Sequence, residues 1–244
     1  MTSTTQIKYA MDLFIFHKKI RFLLGAWSPF SVPVTVDSQI KRLIQRKSRI
    51  KFIQVGASDC GLNDPLKEYV LNGCAKGLVI EPIKQALFRA QEQYRNISGL
   101  YFANCAIDYK KGTRTIYKIK NVPGLPEWAY QVCSFSRDVL LKHEKEIPEV
   151  KNLVVKEDVR TETLTDLMEK SGFERPDLLL IDTEGFDADI LKMFPFKNHC
   201  PALVIFEHKH LDNKQQKNSS KLLKSYSFQM WKTSTDTICW KKKY

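Results

Sequence analysis

Leu178-Leu179-Leu180-Ile181-Asp182-Thr183-Glu184-Gly185-Phe186-Asp187 is the stretch that decides the fold. Four consecutive apolar residues, with no polar alternation, mark a short strand buried on both faces. The run stops at an acid, two more acids and a glycine follow, and residues 188–193 then read as a helix. Working outward, the same unit recurs. Ile50–Val55 (I-K-F-I-Q-V) is a strand ending at Gly56, and a helix is predicted near residues 65–71. Residues 77–80 (G-L-V-I) end at Glu81. Pro82 fits the first turn of a helix that presents Ile83, Ala86, Leu87, Ala90 and Tyr94 on one face. Residues 100–105 are a third strand and 202–206 a fifth, ending at Glu207. Such alternation predicts an α/β fold, a parallel sheet covered by helices on both faces.

Ligands of such sheets bind beyond the carboxyl ends of the strands. Gly56, Asp59, Glu81, Asp182, Glu184 and Glu207 stand there. Gly56 would let the backbone approach a ligand, and Gly61 would permit a tight turn. Their spacing is not the G-x-G-x-x-G of dinucleotide binders, which argues against a dehydrogenase. Glu81 is placed to accept hydrogen bonds from both hydroxyls of a ribose; the alternative is an acid that merely faces a helix dipole. Asp187 could cap the next helix. Asp182 and Glu184 have no such role, and close carboxylates perturb one another's pKa in active sites.

The 244 residues, 43% hydrophobic and 27% charged, suit one packed globular unit and exclude wholesale disorder. Six scattered cysteines form no C-x-x-C pair, so reduced thiols and a cytoplasmic setting are expected. No run approaches the ~20 apolar residues of a membrane-spanning helix. The net charge of +12 belongs to the ends: residues 1–50 hold nine bases against two acids, and 208–244 hold nine against two. Leu13, Phe16, Ile20, Leu23, Leu24 and Trp27 recur at helical spacing, with Lys18, Lys19 and Arg21 off the stripe. Packing is the first reading of that stripe; peripheral contact of residues 1–30 with an anionic membrane is the second. A further basic helix is predicted at 37–49. The organisation expected is a basic helical extension over 1–49 and a main domain over 50–244, with an insertion at about 108–160.

The motifs Q-V-G-A-S-D-C-G (54–61), V-I-E-P (79–82), A-I-D-Y-K-K-G-T-R-T-I-Y (106–117), T-L-T-D-L-M (163–168), D-L-L-L-I-D-T-E-G-F-D-A-D-I-L (177–191), V-I-F-E-H (204–208) and S-Y-S-F-Q-M-W (225–231) together resemble the FkbM family of S-adenosylmethionine-dependent methyltransferases. The resemblance spans about residues 50–240. It implies a class I methyltransferase (Rossmann-like) fold, a seven-stranded, mostly parallel sheet whose last strand is antiparallel, and methyl transfer, usually to a hydroxyl oxygen. It implies S-adenosylmethionine as cofactor, with contacts expected from Gly56, Ala57, Asp59, Glu81, Pro82, Asn104, Cys105, Ala106 and Asp182. Among these, Gly56 would line the methionine end, Asp59 would meet the ammonium, Glu81 would hold the ribose, and Asn104–Ile107 would border the adenine. One departure is Gln54, where many class I enzymes carry an acid.

An alcohol acceptor must lose a proton, so a general base is expected. Asp182 is the first candidate, with Glu184 and His208 behind it. No metal ligand set is predicted; a divalent ion on Asp182 and a neighbouring acid ranks below base catalysis. The acceptor expected is a sugar, glycolipid or other small molecule. The alternatives are an RNA or other nucleic-acid methyltransferase, suggested by the basic ends, and a non-catalytic Rossmann-like scaffold. Against nucleic acid, an acidic loop stands where an Asn/Asp-Pro-Pro-aromatic motif would be. About 70 residues separate the third and fourth strands, too many for a simple connection. They include the strand-like T-R-T-I-Y-K-I (113–119), Trp128, Tyr130 and Phe135, and are expected to build an acceptor pocket or a small satellite core. His143 is expected at the surface.

Overall fold

The structure is a computed structural model that describes residues 34–61 and 64–242. The chain divides after Pro33, and the unit Val34–Tyr244 holds every described residue. The stripe at residues 13–27 and the membrane contact of residues 1–30 lie outside the described residues.

The main sheet has seven strands: β1 (Ile50–Val55), β2 (Ala75–Ile80), β3 (Leu100–Ala103), β8 (Leu178–Ile181), β9 (Leu203–Glu207), β10 (Phe228–Lys232) and β11 (Asp236–Lys241). Their order is β10-β11-β9-β8-β1-β2-β3, and β11 runs antiparallel to both its neighbours. A second sheet, ordered β4-β7-β5-β6, is built from β4 (Ala106–Ile107), β5 (Gly112–Ile119), β6 (Cys133–Ser134) and β7 (Val154–Glu162). The strand expected at 113–119 thus finds its partner in β7, eight residue pairs long.

Residues of opposite parity in the central strands feed two cores. Leu179 and Ile181, with Val204 and Phe206, pack under α6 (Leu164–Ser171), α7 (Asp187–Met193) and α8 (Asn213–Ser225). Leu178 and Leu180, with Leu203 and Ile205, face α1 (Val36–Lys47), α2 (Lys67–Leu71) and α3 (Lys84–Gln93). Burial on both faces explains why these strands read as unbroken apolar runs. α1 starts at a capping box of Thr35 and Ser38 and buries Ile40 and Leu43 in this second core. Trp240 Nε1 donates to Gln39 at 2.9 Å, and Arg42 and Arg46 lie over its ring.

Of the boundaries that differ from expectation, two lie beside the strand ends where the cofactor is expected. The helix after Glu81 starts at Lys84, because Ile83 is extended (φ −80°, ψ 110°) and serves as the N-cap, its N–H donating to the Glu81 side chain at 2.8 Å. Pro82 therefore precedes the helix. The third strand stops at Ala103, where Cys105 N–H turns back to the Ala103 carbonyl, and the chain then crosses to β7 at Thr161 and Glu162.

Gly77 packs directly on β1: a Cβ there would lie 2.3 Å from the Phe52 carbonyl oxygen and 2.7 Å from its ring. Gly77→Ala should destabilise the domain by roughly 1–3 kcal/mol, the usual penalty of overpacking, read from urea unfolding. An unchanged midpoint would mean that β1 and β2 can separate there without loss.

Candidate active site

The site is a consequence of register. Val55 pairs with both Ile80 and Ile181, Ile181 pairs with Phe206, and Ile80 pairs with Ala103. The next residue of each strand, Asn104, Glu81, Gly56, Asp182 and Glu207, therefore falls in one row across the sheet. Gly56 has φ 79°, and a Cβ on it would sit 1.7 Å from the Asp182 carbonyl oxygen. Only glycine lets the first and fourth strand ends approach so closely. The loop beyond carries Ser58 and Cys60 in left-handed conformation, at φ 49° and 52°.

Above this row opens a cavity of about 270 Å³, close to the lower end of the size range of small-molecule sites. It is lined by Gly56, Ser58, Ile80, Glu81, Pro82, Cys105, Ala106 and Ile107, by Trp128, Phe135, His143 and Phe186, and by Asp182, Glu184 and Lys209.

Glu81 is 2% exposed and accepts N–H bonds from Ser58 at 2.9 Å and Ile83 at 2.8 Å, one on each oxygen. Each oxygen keeps a second lone pair for a ligand donor. Burial outweighs these bonds and pushes its pKa up to about 7. Ser58 Oγ is buried with no partner although it lines the same cavity. Apolar walls beside a carboxylate and an unsatisfied hydroxyl fit an adenosine-bearing cofactor.

The other expected contacts divide. Cys105 and Ala106 line the cavity, whereas Asn104 turns its amide to the Glu81 and Pro82 carbonyls and so braces the row. Ala57 is buried on the neighbouring face of the loop. Asp59 pairs with Arg89 at 3.3 Å and accepts from Gln131. Gln54 donates to Asp64 at 3.2 Å, so an acid does stand beside the position where the sequence lacks one.

Asp182 is exposed on the cavity it lines, yet desolvation by the surrounding protein, then the charges of Glu184, Asp187 and Asp236, drive its pKa upward. Water at that exposed side chain tempers the desolvation, and the neighbouring acids matter most. Asp187 does not cap α7. Fully buried, it accepts from Thr183 N–H and Oγ–H, Gly185 N–H and Glu207 N–H, tying the fourth and fifth strand ends together. Glu184 and Gly185 hold the loop in left-handed geometry, at φ 52° and 104°.

His208 does not join the acids: its Nδ1 lies 3.1 Å from Thr237 Oγ1, against β11. His210, two residues on, does. Its Nε2 is 2.9 Å from Glu184 Oε2 and 3.9 Å from Glu207 Oε2. His143 also departs from expectation. It is 9% exposed, packs at a tilt against Trp128 with ring centroids 5.1 Å apart, and lines the cavity.

A family model described as the methyltransferase FkbM domain matches residues 54–233. The chain belongs to the FkbM methyltransferase family. Its strand order is that of a class I methyltransferase. An FkbM methyltransferase structure from Methylobacillus flagellatus KT matches with a TM-score of 0.50 at 14% identity, over 79% of this chain and 44% of that one. The chain thus spans less than half the length of that relative. An O-methyltransferase from Bacillus cereus, solved with SAH, matches with a TM-score of 0.43 at 8% identity, over 92% of this chain and 96% of the other. No curated protein sequence matches the chain. Among the described residues, no helix is long and apolar enough to cross a membrane.

Glu81 should leave a pH signature. Its ordinary pKa is 4.5 and its folded value about 7. Between these values only the folded chain keeps the proton, so this contribution to stability is full below the lower value and is lost as pH rises through the upper. The unfolding free energy of Glu81→Gln relative to wild type should therefore rise between about pH 4.5 and pH 7. A constant difference would contradict the buried acid.

Proposed function

We propose that this FkbM family member is an S-adenosylmethionine-dependent methyltransferase acting on a hydroxyl oxygen of a sugar, glycolipid or other small acceptor. The observation that carries the reading is one cavity lined by both a buried carboxylate, Glu81, and a carboxylate of raised pKa, Asp182. When bound, S-adenosylmethionine supplies a sulfonium methyl that leaves without its bonding pair, which stays on sulfur.

The chain's own residues do the rest. Glu81 accepts hydrogen bonds from the ribose hydroxyls, and Ser58 Oγ gains the partner it lacks. Ile80, Pro82, Cys105, Ala106 and Ile107 enclose the adenine. Asp182 takes the proton of the acceptor hydroxyl as its oxygen receives the methyl group. A carboxylate with raised pKa suits that task better than an ordinary one at neutral pH. Burial and the nearby acids keep the Cys133 thiol protonated, so it offers no competing nucleophile. Phe135 and Phe186 meet edge to face at 5.0 Å with the Arg114 guanidinium over both, forming a rigid wall for the acceptor side. The acidic row weighs against a nucleic-acid acceptor, whose phosphates it would repel.

Calorimetry with S-adenosylhomocysteine should show one site per chain, and Glu81→Ala should lose that binding. Asp182→Asn should keep the affinity and lose turnover on a screened set of sugar and lipid alcohols by roughly 10²-fold or more, the usual contribution of a general base. Undiminished turnover in Asp182→Asn would remove that residue from the role of base. Absence of nucleoside binding by the wild type would overturn the reading as a whole.

A further inference from the structure

We propose that Glu184, Glu207 and His210 form a binding site for a divalent first-row cation of the manganese–zinc class beside the cavity, on the side where Glu184 lines it. One oxygen of each carboxylate and one ring nitrogen lie within 4.8 Å of one another. Ligands at ~2.0–2.3 Å from a common ion stand roughly 3–4 Å apart, and the His210 Nε2 distances of 2.9 and 3.9 Å fall close to that range.

Crowding alone would describe any acidic cluster; His210 adds a separate observation. Its side chain is 3% exposed, yet neither ring nitrogen makes a hydrogen bond. Glu184 Oε2 and Glu207 Oε2 are likewise buried and unpartnered. A carboxylate oxygen 2.9 Å from a ring nitrogen without a hydrogen bond means that the nitrogen and oxygen are misaligned for each other. Lone pairs that converge on a third point have that geometry. Leaving such groups buried and unsatisfied costs free energy that a shared cation would recover.

The fold holds the three donors in place. Asp187 accepts the Glu207 backbone N–H at 3.2 Å, and Ser134 Oγ donates to the Glu184 carbonyl at 2.6 Å. His210 Cβ would lie 3.5 Å from a Cβ at Gly185, so the imidazole rests on the loop that presents Glu184. One imidazole with two carboxylates suits manganese or zinc better than magnesium, which prefers oxygen alone. The ligand set differs from the pair built on Asp182, which stays free to act as base. Glu184 lines the cavity, so an ion there could hold the acceptor oxygen and ease loss of its proton. That role rests on the methyl-transfer reading; the binding site does not.

The test uses the full chain, stripped with a chelator, and manganese(II) alone as probe. Loss of the free-ion electron paramagnetic resonance signal should report one site per chain. The pulsed spectrum should show coupling to a directly bound nitrogen. Glu207→Gln and His210→Gln should each weaken binding by more than about tenfold, beyond what loss of an indirect partner causes. S-adenosylhomocysteine binding by the same variants confirms that they fold. If a variant does not fold, the nitrogen coupling in the wild type decides. No manganese binding, no nitrogen coupling, or unchanged affinity in folded variants would each overturn the proposal. Nucleoside binding without manganese binding removes the metal site and leaves the methyltransferase reading, and the reverse result does the opposite.

Discussion

Hydrogen-bonded register across five parallel strands is the constraint on which the site depends. The pairing of Val55 with Ile80 on one side and Ile181 on the other makes their successors neighbours. A slip of one residue would turn every side chain of a strand to the opposite face. Two cores, one on each face, forbid that slip, since alternate residues of each strand are committed to different helices. The backbone contact between Gly56 and Asp182 then fixes how closely the chemical groups approach. Packing that serves stability alone thereby delivers carboxylates to a common edge.

Those carboxylates are expensive to bury, and the molecule offsets the cost unevenly. Asp187 receives four donors, and Glu81 receives two from backbone N–H groups. Burial still raises both pKa values, to about 6 and about 7. Glu207 is pushed further, to about 9, by burial and then by Glu184, Asp182 and Asp187. Of the nine buried side-chain polar atoms without a partner among the described residues, six belong to Ser58, His143, Glu184, Glu207 and His210, at or beside the site. Such local destabilisation is common where groups are held ready for a ligand rather than for the fold.

The sequence was most legible where burial is two-sided. Ile50–Val55 and Leu178–Ile181 are strands over the very residues their apolar runs mark. The second sheet was half legible: β5 alternates, but β7 (V-V-K-E-D-V-R-T-E) is largely charged because one face meets solvent, and its partner is about 40 residues away. His143 sits among charged neighbours (K-H-E-K) and reads as surface; Trp128 and His210, distant in sequence, pack against its ring. In E-H-K-H (207–210) the sequence offers two histidines, and nothing local says which faces the acids. Thr237 on an adjacent strand claims His208, and the turn carries His210 inward. Long-range contacts, not local pattern, decided each of these cases.

A crystal structure of the chain with S-adenosylhomocysteine tests the central claim most directly. The account predicts the ribose hydroxyls within hydrogen-bonding distance of the Glu81 carboxylate, the adenine beside Cys105 and Ala106, and the sulfur facing Asp182. A nucleoside bound at another place, or one seated in the cavity with its diol turned away from Glu81, would contradict it.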